Sequence, residues 1–136
     1  MTQAEFYRLL MNIVRVGIVT GVDLSTQRCR VQISGLQTDW LRWTAQRAGT
    51  ARTWWVPSVG EQVVVLAAGG ELTTAFVVGA LYSVVHATPS ASAEAVHLTF
   101  PDGTVMEYEP QTSALTGDGH QNRDGHRLGL GTGDRP

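Results

Sequence analysis

The sequence predicts an all-β protein: a small β-barrel or sandwich preceded by a short helix and followed by a separate β-hairpin. Three observations carry this. Residues 62–67 and 74–81 are two almost wholly apolar, Val-rich runs joined by Gly69-Gly70-Glu71, as expected for strands covered on both faces and linked by a tight reversal. Residues 14–33 alternate with period two around a polar turn. Residues 96–109 alternate again around Phe100-Pro101-Asp102-Gly103.

The helix comes first. Thr2-Gln3-Ala4-Glu5 has the Ser/Thr-x-x-Glu form of a capping box, in which Thr2 and Glu5 satisfy each other's free backbone donors. Phe6, Leu9, Leu10 and Ile13 then fall at i, i+3, i+4 and i+7 and form one apolar stripe, so residues 1–13 read as an amphipathic helix. A helix this short needs something to pack on. That is either its own barrel or another subunit.

From Val14 the barrel begins. Val16, Ile18, Thr20 and Val22 share a face, residues 23–27 form a turn, and Cys29, Val31 and Ile33 oppose Arg28, Arg30 and Gln32, giving a hairpin with one wet face. Ser34-Gly35 breaks it. Residues 40–46 make a third strand in which either Leu41 and Trp43 or Trp40 and Arg42 face the core. The loop 47–51 leads to Trp54-Trp55-Val56-Pro57, where Pro57 is excluded from a central ladder. The two Val-rich strands complete a barrel over residues 14–84. Residues 85–95, rich in Ala, Ser and Pro, are a linker. The hairpin occupies 96–116, with Pro101 at the second position of a type I turn and Gly103 at the left-handed position after it.

Composition narrows the function. No apolar run approaches the roughly 20 residues of a membrane span, and the N-terminus lacks the basic start and apolar middle of a signal peptide. The lone Cys29 forms no internal disulfide and reads as a small core residue. Net charge is −2, but residues 1–60 carry seven Arg against three acids, whereas residues 61–116 carry six acids and no Lys or Arg. Such polarity suits two different partners, or copies assembled with opposite patches in register.

Candidate chemistry is thin. His86, His97, His120 and His126 lie in no nucleophile elbow, zinc-protease helix or paired-carboxylate setting, and His97 reads as a solvent-side strand residue. Glu107 and Glu109 share a strand face and read as surface charges. Residues 118–125 imitate a calcium loop, but His120 stands where a carboxylate is required and Gly131 where a bidentate Glu is required. No enzyme and no cofactor are expected.

Asp39-Trp40-Leu41, Arg52-Thr53-Trp54-Trp55, Pro57-Ser58-Val59-Gly60-Glu61-Gln62 and Gly69-Gly70-Glu71-Leu72, in that order, resemble the baseplate assembly protein V family, the central tail spike of contractile-tailed bacteriophages. The resemblance runs over residues 12–116. It implies an oligonucleotide/oligosaccharide-binding (OB) type barrel that seats the spike on the tail hub, with the hairpin at 96–116 beginning a trimeric intertwined shaft. Trp54, Trp55, Pro57, Gly60 and Glu61 are then the barrel motif, and Phe6, Leu9, Leu10 and Ile13 candidate interface residues. The implied partners are two further copies, giving a homotrimer, and the hub and other baseplate proteins. The implied location is the virion tail baseplate, after synthesis in the bacterial host cytoplasm. Family spikes end in an iron-bearing point that pierces the host outer membrane. The iron-holding His-x-His has no counterpart here, since His120 and His126 are six apart, so membrane contact is expected only through a tip this chain ends too early to contain.

Two further expectations follow. OB barrels also bind single-stranded nucleic acid, and Trp40, Arg42, Trp43, Trp54 and Trp55 interleave stacking and basic groups. Against that alternative stands a sequence pI of about 6.0. Residues 117–136 switch abruptly to a Gly-rich polar stretch and read as a disordered tail. Back-translated and read from the second base, their codons permit an alternating Val/Thr/Ala strand. A one-base frameshift near Thr116 or Gly117 is therefore expected to have truncated a longer, prophage-borne spike.

Overall fold

The computed structural model describes residues 1–118; the expectations for the tail beyond Asp118, including those for His120 and His126, lie outside them. The chain divides into two compact units, Met1–Ala87 and Thr88–Pro136.

In the first unit helix α1 spans Gln3–Met11. The Thr2 half of the capping box forms, with the Glu5 amide donating to the Thr2 hydroxyl at 3.1 Å. Six strands follow, β1 (Val14–Asp23), β2 (Arg28–Ile33), β3 (Leu36–Gln37), β4 (Arg42–Trp43), β5 (Gln62–Leu66) and β6 (Phe76–Leu81). They form one sheet in the order β3-β2-β1-β5-β6-β4, antiparallel except for the parallel pair β4–β6. The ladder does not close, contrary to the closed barrel expected. One antiparallel bridge joins its ends instead: Cys29 and Leu41 exchange N–H···O bonds of 2.9 and 2.7 Å. The strands thus run round a common core, with the two-residue β3 at one edge, in the partly open arrangement of an OB fold.

That core is Val19, Cys29, Val31, Ile33, Leu41, Val63, Val65, Ala67, Ala75 and Val77. The alternation in β2 holds as expected. In β1 it does not. Gly17 and Val19 face inward, whereas Val16 and Ile18 are exposed. A register shift between Val19 and Gly21 then lets Val22 pack against the core. A bulge inserts one residue and reverses the parity of everything beyond it. Counting by twos through Thr20 therefore assigned Val16 and Ile18 to the wrong face. In the third strand Leu41 is buried and Trp43 half-buried, while Trp40 and Arg42 are exposed, which settles the open alternative.

The Val-rich strands are covered on one face only. Val63 and Val65 are buried, but Val64 and Leu66 are half-buried, and Val78 and Leu81 exposed. Gly69 and Gly70 take positive φ as the reversal demands, inside a 3-10 turn at Ala68–Gly70 that a second one at Leu72–Thr74 follows. A Cβ on Gly70 would collide with the Leu9 backbone, so this turn receives the C-terminal end of α1. The Ala67 amide ties the same corner to the Ile13 carbonyl at 2.7 Å.

The second unit holds a three-stranded antiparallel sheet, β7 (Val96–Thr99), β8 (Val105–Glu109) and β9 (Ala114–Asp118). Its first turn is as expected: Gly103 at φ +87 donates to the Phe100 carbonyl at 2.9 Å, and Phe100 donates to Thr104 at 2.8 Å. The hairpin has become a meander. Gly117 pairs with Met106 and Asp118 with Val105, so the sheet extends past Thr116, where the tail was expected to begin.

Candidate interaction surfaces

The barrel motif is architectural. After Pro57, the Ser58 amide donates to the Glu61 carboxylate at 3.0 Å, and the Glu61 amide returns to the Ser58 carbonyl at 3.0 Å. Between them Gly60 sits at φ +92, a conformation costly for any residue with a Cβ. The Gly60 amide bonds the Val19 carbonyl at 2.8 Å, and the Val19 amide bonds the Glu61 carbonyl at 2.9 Å. The motif hooks the long loop onto β1 and launches β5.

Trp54 and Trp55 are different. Each is 62% exposed, so neither fills the core. Trp54 lies against Trp43, with ring centroids 5.8 Å apart at 52°. Beside them the loop is held by a bond from the Thr53 amide to the Arg47 carbonyl at 3.0 Å and by a bridge between Ala48 and Arg52. Arg42, Trp43, Thr44 and Phe76 line an adjoining pocket of about 250 Å³. On the next edge the Arg30 guanidinium sits 5.4 Å from the centre of the Trp40 ring, a cation–π contact.

The helix stripe splits. Leu9 and Ile13 are half-buried at the junction with the barrel, whereas Phe6 and Leu10 stay 57% and 52% exposed. A second apolar surface adjoins Ile13, the outer face of the sheet. The pairings Val14–Leu66–Phe76 and Val16–Val64–Gly79 form its rungs.

In the second unit Val96 and Leu98 on β7, Met106 and Tyr108 on β8, and Leu115 on β9 share one face, and no described residue of the unit is buried. The other face is polar. His97 Nδ1 lies 2.9 Å from a Glu107 carboxylate oxygen and Nε2 lies 2.8 Å from the Thr99 hydroxyl. His97 is thus a half-buried, cross-strand hydrogen-bond partner of Glu107, not the solvent-side residue expected, and Glu107 is half-buried beside it rather than a simple surface charge.

Two interior groups complete the picture. Thr38, the one buried polar residue described, accepts the Val31 amide at 3.1 Å and donates to the Asp39 carbonyl at 2.8 Å. Nothing in the local sequence pattern marks it as buried. Cys29 is fully buried, and burial, with the Glu61 charge adding, pushes its thiol up to about 11. That is the state of an inert core residue. Among the described residues no three His, Cys, Asp or Glu side chains cluster as metal ligands, and no helix is long and apolar enough to cross a membrane.

Residues 15–82 match the Type VI secretion system/phage-baseplate injector OB domain family. Over 115 residues, 85% of its length, the chain is 58% identical to the spike protein of Escherichia phage P2, of which it spans about half, 54%. With the match spanning the strands that enclose the core, the chain belongs to the phage-baseplate injector OB domain family.

Proposed function

We propose that this chain is a structural component of a phage tail baseplate. The unit Met1–Ala87 is the seat of the central spike, and the sheet of β7, β8 and β9 begins its shaft. It catalyses nothing and holds no metal within residues 1–118. It works in the virion tail as a homotrimer, held by the hub and other baseplate proteins. Force comes from elsewhere in the tail, and this chain supplies stiffness.

One observation carries the trimeric part. The apolar face of Val96, Leu98, Met106, Tyr108 and Leu115 belongs to a sheet in which no described residue is buried. A small sheet with an uncovered apolar face is marginal in water, and sister copies would cover it. Closed cyclic assemblies rest on such repeated contacts.

Sedimentation equilibrium of the whole chain at about tens of micromolar tests this. Three copies per particle are expected, and dissociation when Met106→Ser and Tyr108→Ser are combined. A single 14.7 kDa species would remove the trimer. Stoichiometric iron or zinc by elemental analysis would remove the metal-free reading.

A further inference from the structure

We propose that β4 and the loop after it form a docking site for a carboxylate-bearing segment of a partner protein that also carries an apolar anchor side chain. The inference rests on reading the first unit as a seat and names the surface and the chemistry of what sits there.

Three arginines belong to this stretch: Arg42 lies on β4 next to Trp43, which packs on Trp54, and Arg47 and Arg52 stand at the neck of the loop beside Thr53. All three are exposed, and none has a carboxylate partner among the described residues. Guanidinium groups bind carboxylates through paired hydrogen bonds, and Trp and Arg together dominate the energetics of protein interfaces. The bonds across the loop neck hold the backbone at Arg47 and Arg52 before any partner arrives, which lowers the loop-ordering part of the cost of binding. The pocket beside Arg42, about 250 Å³ and walled by Trp43 and Phe76, accepts one apolar side chain.

Charge selects protein over nucleic acid. The first unit carries seven Arg against five carboxylates, and residues 88–118 add five carboxylates with no Lys or Arg. Polyphosphate binding grows with the number of phosphates neutralised and calls for a clear basic excess. A few carboxylates spaced along a peptide need only the three local cations. One pocket also suits a single anchor better than a run of stacked bases.

The test is fluorescence anisotropy of the whole chain with a fluorescein-labelled Glu-Phe repeat peptide. Saturable binding is expected, weakened at least about tenfold in the triple variant Arg42→Ala/Arg47→Ala/Arg52→Ala. The double variant Arg8→Ala/Arg15→Ala, which removes positive charge elsewhere, should bind within about twofold of the parent. The single reversal Arg42→Glu gives a second reading if the triple variant unfolds, and should also weaken binding. No saturable binding, equal binding by the triple or Arg42→Glu variants, or tighter binding of oligothymidylate would each overturn the proposal. Sedimentation of the same samples reports trimer formation separately, so loss of one reading leaves the other standing.

Discussion

The two units use the same kind of strand to opposite ends. In Met1–Ala87 ten apolar side chains are withdrawn from water around a common interior, and the sheet nearly closes on itself. In the described part of Thr88–Pro136 the strands pair just as regularly, yet no side chain is buried, and Val96 remains 67% exposed. Backbone pairing is therefore satisfied in both, and only the first has an interior. A sheet becomes self-sufficient through the burial of one face. The first unit is a finished object, and the second is a surface that awaits cover.

The strongest way to break this contrast is to overfill the interior. A Cβ on Gly17 would lie 2.5 Å from the Val31 side chain, 2.7 Å from the Gln32 carbonyl and 2.9 Å from the Ile33 side chain. Gly17→Ala should destabilise the first unit by about 1–3 kcal/mol, the usual range for overpacking. Denaturant unfolding followed by Trp fluorescence reads it, because all four Trp lie in the first unit. An unchanged midpoint would mean that the wall between β1 and β2 is soft.

Gly17 also marks the limit of what the sequence disclosed. The helix, the β1–β2 hairpin, the glycine reversal and the Phe100–Gly103 turn were all legible because each is set by local periodicity or turn chemistry. The inward face of β1 was not, since it depends on a bulge that appears only when β1 meets β2. Gly21, an isolated glycine inside a strand pattern, was the available hint. Trp40 lies over it, with ring atoms 3.5 Å from where a Cβ would stand. Gly60 and Glu61 build a turn, whereas Trp54 and Trp55 face solvent. Apolar content alone could not say that the Val-rich strands are covered on one side only.

Alkaline titration sharpens the comparison next. The Cys29 thiol ionises at about 11 in the folded unit, against an ordinary 9.0. Between those values the unfolded chain releases a proton that the folded chain keeps. Stability from this source is complete below about 9 and falls as pH rises towards about 11. Cys29→Ala should lower stability at neutral pH through lost packing and flatten the alkaline limb. A thiol that reacts with a disulfide reagent as fast in the native protein as in denaturant would contradict the burial. Smaller again is Thr2→Ala. Loss of the cap should cost the helix about 1 kcal/mol. No residue of α1 is buried, so the loss should appear as faster amide exchange within Gln3–Met11, with the main unfolding transition unmoved. A shifted transition would make the helix part of the cooperative unit.

The smallest effect belongs to the second unit. The contact His97–Glu107 joins β7 to β8, with side chains 14% and 29% exposed. The Thr99 hydroxyl fixes the other ring nitrogen, so the imidazole is oriented from both sides. Partly solvated pairs contribute about 0–1 kcal/mol, and Glu107→Gln keeps the size of the side chain while removing its charge. Its expected consequence is a change below about 1 kcal/mol, confined to amide exchange in β7 and β8, with the denaturant midpoint of the first unit unchanged. The apolar face lies on the other side of the sheet, because neighbouring residues along a strand point in opposite directions. Sedimentation of Glu107→Gln should therefore match the parent, whereas Met106→Ser with Tyr108→Ser should not. If Glu107→Gln alone dissociated the assembly, the polar face would be the covered one and the contrast between the units would have to be redrawn.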